Sequence, residues 1–341
     1  RWSSNEIGKI YGEENIKYVT ANFGDLVLAT TNSFHRGTKP MSSDRTMLTL
    51  DWGIHPVYFK KWGTKIKQSD YDSLEDFIEW QIVKGISGLI ALGSTGEFLS
   101  LNDEERYNVT KTIISKVSGR VPVLIGTGAE NTWDVVKKSK DAASLGADGL
   151  MIIPPFYSTP TEEEIFVHYK KIAESVSIPI MLYNNPATAN VDLTPQIVKK
   201  LSKIDNISYI KESTMDVTRV RDIISLCGDK MSVFGGIMGY ESFLNGADGW
   251  VSVGSNLMPA EFSDLYKLSV IDKDVDKARK IYSYILPIIE LVGGHRYTSA
   301  TKAALKLMGL NVGPPRPPRL EASGSDFEWV KKVVKKYKLK I

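Results

Sequence analysis

Three short segments of this 341-residue chain carry side chains suited to carbonyl chemistry. In Ile210-Lys211-Glu212-Ser213 a lysine directly follows an apolar run. An amine enclosed by apolar surroundings is poorly solvated as an ammonium, which frees its lone pair to attack a carbonyl and form a Schiff base. A lysine at a sheet end also serves simply by laying its stem on the sheet and snorkelling to water. Tyr183-Asn184-Asn185-Pro186 ends the apolar run before it. Its phenol can relay protons, or pack as an aromatic under a loop. Gly93-Ser94-Thr95-Gly96-Glu97 offers two hydroxyls and exposed N–H groups just ahead of a helical stretch, which suits a carboxylate. Together these supply an amine nucleophile, a phenol relay and a cradle for a 2-oxo acid. The lysine would itself act as the electron sink, so neither a metal nor an organic cofactor is expected.

Such residues need a scaffold that brings strand ends together. Near-continuous apolar runs at 88–93, 121–126, 149–154, 178–183, 207–210, 231–235 and 250–254 read as strands of a parallel sheet covered on both faces. Amphipathic stretches separate them, opened by Asn102-Asp103-Glu104-Glu105, Thr161-Glu162-Glu163-Glu164 and Thr194-Pro195, all helix-start signals. A first amphipathic helix is predicted at 73–84. Seven strand–helix units fall one short of a (β/α)8 TIM barrel, whose reactive side chains gather at the strands' C-terminal ends. The segment 54–59, which contains Pro56, is the candidate for the missing strand. Beyond Met258 the pattern turns helical at 260–271, 275–292 and 298–308. A Pro-rich link, Gly313-Pro314-Pro315-Arg316-Pro317-Pro318, then leads to a helix at 326–337. The expected fold class is therefore α/β: a barrel with a C-terminal helical extension, preceded by a short β-rich segment. Its divisions are 1–60, 61–320 and 321–341, the last a basic helix whose lysines read as a solvated face.

Composition narrows the function classes. The net charge of +3 gives no reason to expect nucleic acid as a partner, and one Cys excludes a disulfide framework or a Cys-based zinc site. No apolar run approaches the ~18 residues of a membrane span. The polar residues 1–6 lack the apolar core of a secretion signal, so a cytoplasmic location is expected. The chain starts at Arg1 rather than Met, which reads as a fragment or a processed product.

In order and spacing, the three segments resemble the dihydrodipicolinate synthase / N-acetylneuraminate lyase family. Gly126-Thr127-Gly128, Pro154-Pro155-Phe156-Tyr157, Gly246-Ala247-Asp248-Gly249 and the Pro-rich link support the resemblance, which runs from about 70 to 320. It implies a class I aldolase or dehydratase acting on pyruvate or a 2-keto-3-deoxy acid. By the same resemblance Lys211 forms the imine, Tyr183 shuttles protons, Ser94 joins the relay, and Thr95 with Gly93 binds the substrate carboxylate. Val251 falls near a backbone contact to the imine. Tyr157 matches a tyrosine that the synthases lend across a dimer interface, so a homo-oligomer, dimer or tetramer, is implied. Thr188 departs from the pattern, because the true synthases carry there an arginine that grips the aldehyde's carboxylate. Replacing a bidentate guanidinium by a hydroxyl removes the strongest carboxylate clamp. A keto-sugar-acid substrate fits this better than aspartate semialdehyde. The alternatives are a synthase proper and an oxygenase fragment fused to an inactive barrel.

That last alternative comes from residues 20–57. Gly24-Asp25-Leu26-Val27-Leu28, His35-Arg36-Gly37 and Arg45 resemble the end of a phytanoyl-CoA dioxygenase-like, Fe(II)/2-oxoglutarate oxygenase. His35 would match the distal iron ligand and Arg45 the 2-oxoglutarate-binding arginine. Iron in that class needs a second His and a carboxylate, and no His precedes His35. A non-catalytic remnant is expected.

Overall fold

The computed structural model describes residues 68–341. The proposed strand at 54–59, and the segment carrying His35 and Arg45, lie outside the described residues. Helix α1 (Gln68–Val83) opens the described chain. Seven strand–helix units then follow: β1 (Leu89–Ala91), α2 (Asp103–Val117), β2 (Val123–Gly126), α3 (Thr132–Ser144), β3 (Gly149–Ile152), α4 (Glu162–Ala173), β4 (Ile180–Asn184), α5 (Pro195–Leu201), β5 (Ile207–Glu212), α6 (Thr218–Cys227), β6 (Ser232–Gly235), α7 (Gly239–Leu244), β7 (Gly249–Trp250) and α8 (Pro259–Tyr266). Every neighbouring pair runs parallel, in the order β1 to β7. The sheet curls: Gln81 of α1 donates from Nε2 to the carbonyl of Ser255, just past β7, at 3.1 Å. This is the α/β-barrel architecture that the alternating pattern predicts. The seven apolar runs all become strands. The last is shorter than its run, because the chain turns into a 3-10 turn at Gly254–Asn256.

Local chemistry explains why the elements begin where they do. Asn102 with Glu105, and Thr161 with Glu164, close reciprocal capping boxes at the starts of α2 and α4. The sequence Gly-Ala-Asp-Gly occurs twice, at 146–149 and 246–249. In each copy the first glycine takes φ +94°, which only glycine adopts cheaply. Each aspartate then clips two strands together: Asp148 Oδ2 accepts from Val123 N at 2.8 Å, and Asp248 Oδ2 from Val233 N at 2.9 Å.

Strand alternation sorts the core into two sets. Leu150, Ile152, Ile180, Leu182 and Ile210 pack outward against the helices. Met151, Ile153, Met181 and Tyr183 form a separate interior cluster, with Tyr209, Phe234 and Val251 packed against it. Side chains two residues apart share a face, so the face holding Tyr209 is also the face of Lys211. The C-terminal helices α9 (Val275–Leu291), α10 (Tyr297–Met308) and α11 (Gly324–Tyr337) complete the described chain. Val330 of α11 is fully buried in the outer core. No helix among the described residues is long and apolar enough to cross a membrane.

Candidate active site

β4 and β5 pair so that Tyr183 stands opposite Lys211, and Asn184 opposite Glu212. The Lys211 amine lies over the Tyr183 ring, 4.2 Å from its centroid. Tyr183 is 6% exposed, and its phenol oxygen accepts from Asn185 Nδ2 at 3.1 Å. Burial pushes this phenol up. The Lys211 charge, with hydrogen bonds from Asn185, Ser94 and Lys211, outweighs burial and leaves it below the usual tyrosine range. Lys211, Tyr183 and Ser94 thus meet, although they come from three different strand ends. A small pocket beside them is lined by Leu92, Gly93, Ser94, Phe98, Gly126, Gly128, Met151, Ile153 and Tyr183. Its apolar wall strengthens any charge interaction formed inside it. Gly126 is obligatory here, since a Cβ would fall 2.1 Å from the Leu92 carbonyl oxygen.

The turn carrying Gly93, Ser94 and Thr95 is held in an uncommon conformation. Leu92 and Glu97, which flank it, take φ of +57° and +55°. Non-glycine residues pay for that region and keep it only when their surroundings impose it. Leu92 is locked in the core. Glu97 is held by the C-terminal part of the chain: Lys302 Nζ reaches Glu97 Oε2 at 2.5 Å, and Arg316 N donates to Oε1 at 2.6 Å. The Arg316 guanidinium forks onto Glu105 at 2.9 and 2.7 Å and donates to the Ser100 carbonyl at 2.9 Å. The Pro-rich link is therefore a strap across the hydroxyl turn. Glu97 and Arg316 both lay in segments singled out by sequence, but their pairing needs two distant parts of the chain to meet.

A second anchor escaped sequence reading altogether. Glu130 accepts from Phe156 N and Tyr157 N at 3.0 Å each and from Ser158 N at 2.8 Å. Desolvation raises its carboxyl, but these donors prevail and hold it at about 2. They fix the loop that presents Tyr157, whose side chain is 85% exposed and does not join Tyr183 and Lys211 within one chain. The only advance signal was Glu130's place two residues after the Gly126-Thr127-Gly128 motif. Close by, burial holds His168 down at about 4, partly opposed by the Glu130 charge.

The outward faces of β4 and β5 carry a polar network. Asn184 Nδ2 donates to Glu212 Oε2 at 2.9 Å and Asp192 Oδ1 at 3.3 Å, while Asn184 Oδ1 accepts from Leu193 N at 2.9 Å. Glu212 also accepts from Thr214 N at 2.7 Å, and burial raises its carboxyl. Arg219 grips Asp192 with both arms, at 2.6 and 2.7 Å. The residues after Tyr183 and Lys211 are thus bonded across the strands. Thr188 is exposed just past β4, its amide and hydroxyl both directed to the Asn185 carbonyl, at 3.0 and 3.3 Å. Val251 N continues the β6 ladder to Gly235 O at 2.9 Å.

Known proteins resemble this chain in sequence and fold. Residues 64–337 match the model of the dihydrodipicolinate synthetase family. A 4-hydroxy-tetrahydrodipicolinate synthase of Syntrophobacter fumaroxidans is 38% identical over 250 residues, covering 72% of this chain and 84% of the relative. The dihydrodipicolinate synthase of Acinetobacter baumannii, solved with pyruvate, superposes with a TM-score of 0.75 at 35% identity, covering 78% of this chain and 91% of that one. A prophage protein of the same family from E. coli K12, also solved with pyruvate, gives 0.74 at 32% identity over 79% of this chain and 93% of its own. By fold, by motif and by these likenesses, the chain belongs to the dihydrodipicolinate synthetase family of Schiff-base lyases.

Proposed function

We propose that this chain is a class I aldolase-type lyase whose Lys211 forms an imine with pyruvate or with a 2-keto-3-deoxy acid, the second substrate in the direction of carbon–carbon bond formation being the aldehyde released from such an acid. The observation that carries the reading is the Lys211 amine beside the Tyr183 phenol on paired strands. The amine attacks C2 of pyruvate. Tyr183 protonates the departing hydroxyl, so water leaves and an iminium forms. The iminium withdraws electrons from the C3–H bond: the Tyr183 phenolate left by that transfer takes a C3 proton to give an enamine, which attacks an aldehyde to make a carbon–carbon bond while Tyr183 returns the proton to the aldehyde oxygen. The cleavage runs in reverse. Ser94 joins the relay through its bond to Tyr183, Thr95 and the turn begun by Gly93 hold the pyruvate carboxylate, and the Val251 backbone faces the imine.

Thr188 supports the choice of second substrate. A hydroxyl offers a carboxylate far less than a guanidinium fork does, so a second carboxylated substrate has no clamp at that position. The relatives' names favour the other reading, a 4-hydroxy-tetrahydrodipicolinate synthase proper. Borohydride reduction in the presence of pyruvate tests the first step, and failure to find a pyruvyl adduct on Lys211 would remove it. A turnover screen of 2-keto-3-deoxy acids, N-acetylneuraminate and pyruvate with aspartate semialdehyde decides between the two readings.

We also infer that the working form is a homo-oligomer, at least a dimer. Tyr157 is 85% exposed on a loop rigidly anchored by Glu130, with Trp133 (74%) and Leu99 (66%) also exposed. A phenol presented in this way suits completion of a neighbouring copy's proton relay. A cytoplasmic location agrees with the whole reading.

A further inference from the structure

Asn185 stands two residues after Tyr183 in the same motif and is only 8% exposed. Its backbone carbonyl anchors the loop that follows, accepting from the amides of Thr188 and Ala189 at 3.0 Å each. Its side chain does something else. Nδ2 donates to Tyr183 Oη at 3.1 Å, and Oδ1 has no hydrogen-bond partner among the described residues. Turning the amide over would give the phenol the oxygen and leave the NH2 unpaired, so in either orientation one end is free. A buried polar atom without a partner costs desolvation with nothing returned, and such atoms in native proteins call for an explanation. An apolar side chain would fill the same space without that cost.

In the aldol step the free end would meet the substrate. When the enamine adds to an aldehyde, the aldehyde oxygen takes its proton from Tyr183, so it must lie at Tyr183 Oη. The amide bonded to that same phenol oxygen would then lie near the carbon next to the reacting carbonyl. A hydroxyl on that carbon both donates and accepts, and can satisfy either end of the amide. We propose that Asn185 is a specificity-determining residue that selects 2-hydroxyaldehydes, and the corresponding 2-keto-3-deoxy acids, by binding the hydroxyl adjacent to the reacting carbon. This rests on the reading of the chain as a pyruvate aldolase. A site built to bond a hydroxyl discriminates strongly against the analogue lacking it, because its own polar group is then left unpaired.

The test compares carbon–carbon bond formation from pyruvate with glyceraldehyde and with propanal, which lacks the hydroxyl. The parent protein is expected to favour glyceraldehyde at least about tenfold in kcat/KM. Asn185→Val also loses the bond to the phenol, so both reactions slow; the readout is their ratio, which should fall to near unity. Asn185→Thr, which keeps a hydroxyl, should retain part of the preference. Borohydride trapping of pyruvate on each variant reports a folded barrel with a working lysine. An unchanged ratio in Asn185→Val, or no preference in the parent protein, would overturn the proposal. Failure of the parent protein to trap pyruvate would overturn the aldolase reading beneath it, and the proposal with it.

Discussion

Tyr183 and Lys211 face each other across the β4–β5 ladder, with the lysine amine 4.2 Å from the centre of the phenol ring. The lysine charge favours the phenolate, against the burial that opposes it. Phenol and amine can therefore exchange a proton without either leaving its strand.

Tyr183→Phe should lower kcat about 10²- to 10⁴-fold, the usual worth of a positioned proton-transfer group. The phenol sits below the ordinary tyrosine range. As pH rises it loses its proton early, so kcat/KM should decline on the alkaline side below pH 10. Rate profiles of the two proteins check this: the alkaline limb assigned to Tyr183 should vanish in the phenylalanine variant.

The Glu97–Lys302 pair closes the C-terminal strap over the hydroxyl turn. Lys302→Met leaves a carboxylate that is 7% exposed without its cation. By the cost of breaking a buried pair it should lose about 3 kcal/mol in urea unfolding. The turn loosens with it, so the KM for pyruvate should rise more than kcat falls. Lys302→Arg should recover most of both. Equal loss of kcat with no change in KM would show that the strap does not shape the carboxylate cradle.

Glu130 and His168 make the Tyr157 region acid-sensitive. The Glu130 carboxyl is held at about 2, below its ordinary 4.5. Its contribution is complete above pH 4.5 and disappears as pH falls towards 2. His168 is held at about 4 against an ordinary 6.5, so the neutral ring favours the fold above pH 6.5 and that gain is lost between 6.5 and 4. Chemical denaturation should show stability falling in two successive steps on acidification. Glu130→Gln should remove the lower step, and His168→Asn the upper.

Asn184 is sandwiched between the carboxylates of Glu212 and Asp192. Asn184→Asp replaces a double donor by a third carboxylate. Like charges brought this close repel, so the variant should be less stable than the parent, increasingly so as pH rises through the carboxylate range. Because Asn184 and Glu212 follow Tyr183 and Lys211 on paired strands, kcat should fall as well. Thermal melts between pH 4 and pH 8 measure the first effect. A constant difference across that range would argue against charge repulsion.

Much of the fold was legible from residue order. Seven apolar runs became seven parallel strands because strands covered on both faces must be apolar throughout, and Asn102, Thr161 and Thr194 cap helices as their types foretell. That Lys211, Tyr183 and Ser94 would meet was legible too, since a barrel delivers the ends of its strands to one face. Glu97, Glu130, Asn184 and Glu212 were not, or not in their roles. Acids and amides of that kind occur throughout the chain, and none stands in a local pattern that marks it as an anchor.

The sequence by itself determined which side chains would end the strands and what chemistry an amine, a phenol and a pair of hydroxyls offer together. Only the tertiary structure decided that Arg316 and Lys302 would clasp the turn before α2. It also decided that Glu130 would collect three amides of the loop after β3. The physical reason is range. Hydrophobic period and capping are written within a few residues, whereas these contacts join parts of the chain 26 to 219 residues apart, which meet only once the strands have paired and the C-terminal helices have packed.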